Sequence, residues 1–217
     1  ECAREEADGM VTSRRGIVLG VTTADCLPVL LADSQGRAVA ALHAGWRGLA
    51  AGILENGVRA VCGKGGAAPH EIRAAIGVGI GPCCFEIGPE VREAFIARGF
   101  PEEHFRLENA RMKADLPALA KWALQRAGVG AIEVLPGCTY CQPELFYSYR
   151  RDKWPTGLMM AVIALEESMV SSRSVPSAEN VPPSEAVAPA ETVPPADAVA
   201  PAEAVAPAET VPPAEAV

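Results

Sequence analysis

Val21-Thr22-Thr23-Ala24-Asp25-Cys26-Leu27-Pro28-Val29-Leu30-Leu31-Ala32-Asp33, followed after a short turn by Ala41-Leu42-His43-Ala44-Gly45-Trp46-Arg47-Gly48, decides the fold of this chain. Residues 27–32 and 38–42 are continuous apolar runs of strand length. Between them lies Asp33-Ser34-Gln35-Gly36-Arg37, polar and glycine-bearing, so the spacing predicts a hairpin. Such a hairpin carries Cys26, just before its first strand, toward His43, at the end of its second. Two soft metal ligands, or a nucleophile and a base, then share one sheet edge.

Gly45 and Gly48 flank Trp46-Arg47 where the strand gives way to an apolar period that predicts a helix over residues 49–61. Glycines at a strand-to-helix corner let backbone approach a ligand closely. The first helical amides favour an anion, and Arg47 adds a planar fork suited to phosphate or carboxylate. Taken singly, each residue has an ordinary explanation: Arg47 as a surface charge, Cys26 or His43 as core. Brought to one edge by one hairpin, the three point to a site.

Outward from this centre the chain reads as a single α/β domain with a mixed sheet and flanking helices. Strands are expected at residues 16–22, 74–80, 132–135 and 158–164. Helices are expected at residues 89–97, with Pro89 in the first turn, and 116–127, capped by Asp115 and stopped by Gly128. His70 and His104 fall in connections and receive no role.

Two cysteine motifs remain open. Gly81-Pro82-Cys83-Cys84 is read as a glycine-rich segment in which extended backbone sends adjacent side chains to opposite faces, so at most one cysteine serves any given site. Cys138-Thr139-Tyr140-Cys141 is either part of a structural zinc site completed by Cys83 or Cys84, or a redox dithiol. A zinc ribbon wants a second paired knuckle and a thioredoxin-like motif wants to open a helix, so the spacing compels neither. Arg150 and Arg151 suit either a phosphate or the surface.

From Val175 the sequence of 217 residues repeats in sixes, as in Val-Pro-Pro-Ser-Glu-Ala and Val-Ala-Pro-Ala-Glu-Thr, without aromatic, Gly, Leu or Ile. Such composition favours extended, polyproline-like chain over a packed core, and residues 167–217 are expected to be a disordered tail after a domain at 1–166. Most of the formal charge of −8 comes from this tail, whose eight acids and one Arg leave nineteen acids and eighteen bases ahead of it. No basic stripe suggests nucleic acid, and no apolar stretch is long enough to span a membrane. Seven cysteines form an odd set without the density of a secreted scaffold, which points to a reducing cytoplasm. The opening Glu1-Cys2-Ala3-Arg4 is polar and lacks an initiator Met, as expected of a chain missing upstream sequence.

Ala7-Asp8-Gly9-Met10-Val11-Thr12, the Thr-Ala-Asp-Cys run ending at Cys26, His43-Ala44-Gly45-Trp46-Arg47-Gly48, Ile80-Gly81-Pro82-Cys83-Cys84, and residues 146–151 with Thr156-Gly157 occur together and in order. In these motifs the chain closely resembles the multicopper polyphenol oxidase, or laccase-domain, family, whose members are regarded as purine nucleoside phosphorylases. The resemblance implies a zinc ion, with copper as the alternative, held by one Cys and two His. It also implies phosphorolysis of adenosine, inosine and methylthioadenosine, and adenosine deamination, placing the chain among transferases and hydrolases. Purine nucleoside and phosphate are then the partners. Cys26 and His43 match two of the three ligands and, with Arg47, carry the expected chemistry. The third implied ligand is a histidine on an earlier strand, yet no His precedes His43. Either upstream strands are missing or another residue completes the site. Two further readings are an inactive, truncated member and a copper-dependent phenol oxidase.

Overall fold

The computed structural model describes residues 7–166 and the backbone of Glu191–Val193. Its centre is the expected hairpin, β3 (Leu27–Asp33) and β4 (Val39–Ala44), paired antiparallel with Leu27 opposite Ala44 and Pro28 opposite His43. Asp33 closes the turn. Its carboxylate accepts from the Arg37 amide at 2.9 Å and from Nε and a terminal nitrogen of the Arg37 guanidinium at 2.7 and 2.8 Å.

The hairpin lies inside a mixed sheet. β1 (Gly9–Thr12) joins the free edge of β4, and β5 (Ile72–Ile76) joins β3, both antiparallel. Beyond β5, β8 (Ala131–Val134) runs parallel to it. The three-residue strand Glu191–Val193 pairs with β1. The rest of the expected disordered tail, residues 167–190 and 194–217, lies outside the described residues.

The run at residues 27–32 lacks the alternation of a half-exposed strand because both faces of the hairpin are covered. Val29 and Leu31 of β3 and Ala40 and Leu42 of β4 pack with Ile53, Leu54, Val58 and Val61 in the larger core. On the opposite face, Val39 and Ala41 meet Leu19, Val21 and Leu165 in a smaller one. That second layer is a two-stranded ribbon of β2 (Val18–Thr23) and β9 (Met159–Ala164).

The helix expected over residues 49–61 is two helices. α1 (Trp46–Ala51) ends at Gly52, whose φ of 97° is left-handed, and α2 (Ile53–Gly65) starts afresh. The apolar period continues across the break, so hydrophobicity alone does not reveal it; the glycine does. α3 (Pro89–Ile96) and α4 (Leu116–Arg126) match expectation, the latter with Asp115 Oδ1 accepting from the Ala118 amide at 3.0 Å. The strand expected over 74–80 stops at Ile76, and the charged connection around His104 forms a hairpin of β6 (Phe105–Glu108) and β7 (Arg111–Ala114). No helix among the described residues is long and apolar enough to cross a membrane.

Candidate functional site

The register that sets Pro28 against His43 leaves Cys26 at the same end of the hairpin. Cys26, His43, Gly45, Trp46, Arg47, Gly48 and Asp8 line one cleft of about 270 Å³. A Cβ on Gly45 would stand 3.1 Å from Cys26 Sγ and 3.7 Å from His43 Cε1. The missing side chain therefore keeps open a space that the sulfur and the imidazole share. Cys26, His43 and Arg47, singled out in the sequence, are brought together here.

Asp8 was not assigned a role from the sequence. It sits beside β1, where its carbonyl accepts from the His43 amide at 2.7 Å and its Oδ1 lies 3.3 Å from His43 Nδ1. With the proton on Nδ1 the ring donates to that carboxylate and Nε2 keeps its lone pair. The pairing of β1 with β4 joins residues 35 positions apart, which no local pattern displays.

Cys26 is held by its neighbour. Asp25 has a φ of 91° and a buried carboxylate that accepts from Thr139 Oγ1 and from the Arg150 amide, both at 2.6 Å. Its carbonyl accepts from the Ile80 amide at 2.8 Å. Burial, reinforced by the carboxylates of Asp25 and Asp8, pushes the Cys26 thiol up to about 11. A cation at this sulfur would reverse that penalty, because it would attract the thiolate and both carboxylates together.

Arg47 is exposed, with its guanidinium carbon 4.4 Å from the Trp46 ring centroid. Stacking there leaves the fork's edge for an anion. Arg150 and Arg151 do not line the cleft. Their guanidinium groups donate to backbone carbonyls instead, Arg150 to Glu86 at 3.0 Å and Arg151 to Thr139 and Tyr140 at 2.7 and 3.1 Å. His70 lies within the turn Pro69–Glu71 and His104 ends the turn Glu102–His104, and neither lines the cleft.

The cysteine motifs behave differently from their extended reading. Residues 82–84 form a turn, with the Cys84 and Phe85 amides both donating to the Gly81 carbonyl at 3.0 Å. Adjacent side chains therefore need not oppose one another. The sulfurs of Cys83, Cys84, Cys138 and Cys141 all lie within 4.8 Å of each other, close enough to hold a metal ion. Among the described residues this is the only group of three or more Cys, His, Asp or Glu ligand atoms so gathered. Burial pushes the Cys138 thiol up, but amides of Gly81, Cys141 and Tyr140 and the Cys83 thiol outweigh it and hold the group below its ordinary value.

Residues 1–166 match the family described as multi-copper polyphenol oxidoreductase laccase. "Purine nucleoside phosphorylase YfiH" of Escherichia coli (strain K12) is 43% identical over 164 residues, 75% of this chain and 65% of the relative. "Adenosine deaminase RL5", from an unknown prokaryotic organism, is 40% identical over 156 residues, 70% of this chain and 59% of that protein. The solved structure of the Neisseria meningitidis protein NMB0706 superposes with a TM-score of 0.69 at 41% identity, covering 75% of this chain and 66% of the other. This chain thus spans about 65% of the length of the Escherichia coli relative. With the motifs in order, the cleft at the hairpin's end and the match over residues 1–166, the chain belongs to the multi-copper polyphenol oxidoreductase laccase family.

Proposed function

We propose that the chain carries the active site of a zinc-dependent purine nucleoside phosphorylase acting on adenosine, inosine and methylthioadenosine, with adenosine deamination as a second activity. The observation that carries this reading is the convergence of Cys26, His43 and Arg47 on one cleft. Relatives named for both activities support it. The catalytic domain is residues 1–166, with the hexad repeats outside it, and the setting is the reducing cytoplasm.

Cys26 and His43 fit zinc as half of a tetrahedral set: a soft sulfur and an imidazole nitrogen around a space that Gly45 keeps clear. Copper is the alternative ion for the same donors. When bound, the ion supplies Lewis acidity and an activated water at neutral pH. Asp8 holds the His43 ring through Nδ1 and so presents Nε2 as the ligand nitrogen. Arg47 orients phosphate for attack at the ribose C1′, with the first amides of α1, which carry no side-chain cap, as further donors. Asp25 keeps Cys26 at its corner.

The test is adenosine turnover by the purified chain with zinc and phosphate, following adenine and inosine separately. Cys26→Ala and His43→Ala are each expected to abolish both products, and Asp8→Ala to weaken zinc binding at this cleft about 10–100-fold. Turnover that survives either of the first two substitutions would sink the assignment. A second reading, a family member that binds without turnover, is favoured by a cleft whose lining, among the described residues, includes His43 as its single histidine; it predicts nucleoside binding with no product. Phenol oxidation with copper, the third reading, predicts activity on a phenol and none on adenosine.

A further inference from the structure

We propose that Cys83, Cys84, Cys138 and Cys141 form a second, structural metal site, a single zinc ion held by four thiolates, distinct from the cleft of Cys26 and His43. The four sulfurs lie within 4.8 Å of one another, with Cys141 Sγ at 3.6 Å from Cys83 Sγ and 3.3 Å from Cys84 Sγ. A tetrahedral zinc with bonds of about 2.3 Å has sulfur–sulfur edges of about 3.8 Å. The cluster already stands on that scale. An all-sulfur donor set selects a soft or borderline ion and rejects magnesium and calcium.

The topology explains why these residues meet. β5 and β8 are parallel neighbours, so the loops leaving their C-terminal ends emerge side by side. The first loop turns through Cys83-Cys84, the second through Cys138 and Cys141, whose amide donates to the Cys138 carbonyl at 3.1 Å. A Cβ on Gly81 would stand 3.1 Å from Cys138 Cβ, 3.4 Å from Cys83 Sγ and 3.5 Å from Cys138 Sγ. The glycine lets the loops close on each other.

The outer groups suit a negatively charged centre. The Gly81 amide donates to Cys138 Sγ at 3.2 Å, as backbone amides do around bound thiolates. Four thiolates and one zinc ion leave two negative charges. Lys113 Nζ, paired with Glu108 Oε2 at 2.8 Å, also donates to the Cys83 carbonyl at 2.8 Å, and Arg151, paired with Asp152, braces the carbonyls of Thr139 and Tyr140. Cys83 and Cys141 are exposed and Cys138 is buried, which gives the ion a path in from solvent and an anchored far side. On binding, each thiol passes its proton to water as the sulfur–zinc bond forms, and no oxidant is needed. Through Thr139 and Ile80 the same loops hold Asp25, so the ion would stiffen the corner that presents Cys26.

The test uses the full chain with Cys26 and His43 both changed to Ala, purified under thiol reductant. Bound zinc is expected at about one ion per chain, with an X-ray absorption shell of sulfur alone. In that background Cys84→Ser and Cys141→Ser should each release the zinc, whereas Cys62→Ser should not. Cobalt loaded into the folded parent in place of zinc should show the intense visible bands of a tetrahedral thiolate, which decides the matter even if a serine variant fails to fold. Absence of zinc from the parent, nitrogen or oxygen in the shell, or recovery of these cysteines as disulfides under reductant would overturn the proposal. Because Cys26 and His43 are removed, the outcome is independent of the nucleoside chemistry.

Discussion

Asp25 occupies a backbone conformation that side chains seldom adopt, with φ at 91°. Its carboxylate, two short hydrogen bonds long, holds it there. Thr139 and the Arg150 amide come from segments more than a hundred residues further along the chain, so one aspartate ties the start of the central hairpin to the C-terminal part of the domain. Strain of this kind persists only where the surroundings over-determine it. Asp25→Ala leaves a buried hydroxyl and a backbone amide without their acceptor while keeping the unfavourable φ. It should cost about 2 kcal/mol in denaturant unfolding and lower zinc affinity at Cys26. Asp25→Gly relieves the backbone yet still loses both bonds, so it should recover only part of that stability. If the two variants were equally stable, strain at Asp25 would be negligible.

The hairpin turn and the helix beneath it show how elements are locked together. Asp33 is buried and bound on both oxygens by Arg37, and the guanidinium holds its carboxyl well below the usual carboxylate range against the opposing effect of burial. A group whose folded value is depressed stabilises the fold above its unfolded value, about 3.9 for Asp, and loses that contribution as pH falls toward the folded value. Asp33→Asn should therefore lower the melting temperature by about 5 °C at neutral pH, with the gap from wild type narrowing below about pH 4. A gap independent of pH would show that shape, not charge, closes the turn. On the other side of the hairpin α2 presents Gly57 to β4, where an added Cβ would fall 2.4 Å from Leu42 Cδ1. Helix propensity favours alanine by about 1 kcal/mol. Packing opposes it, and Gly57→Ala should be destabilising by about 1–3 kcal/mol, measured by urea unfolding.

At the scale of the molecule, what could be read from the sequence is what sits on locally patterned chain. The central hairpin was legible because its strands are buried on both faces and bounded by a polar turn, and its register then brought Cys26 to His43. β6 and β7 were not: Phe-Arg-Leu-Glu and Arg-Met-Lys-Ala alternate over only four residues each, too short a run to separate from a charged connection, and the alternation leaves Leu107 in solvent instead of a core. The role of Asp8 and the meeting of the four cysteines depend on strand neighbours distant in sequence, β1 with β4 and β5 with β8. The β2–β9 ribbon is intermediate: its strands were foreseen, its place as a second layer was not. That layer makes a testable division. β9 alternates between half-buried and exposed residues, and across the pair Leu19 is 2% exposed while Met160 and Val162 are 69% and 51% exposed. If the ribbon covers the hairpin's second face, inward and outward positions must differ sharply. Leu19→Ala opens a cavity against Val39 and Ala41 and should cost about 2–4 kcal/mol. Val162→Thr, on the outer face, should stay within about 0.5 kcal/mol of wild type. Equal costs would mean that the outer face is covered too in the protein as it exists in solution.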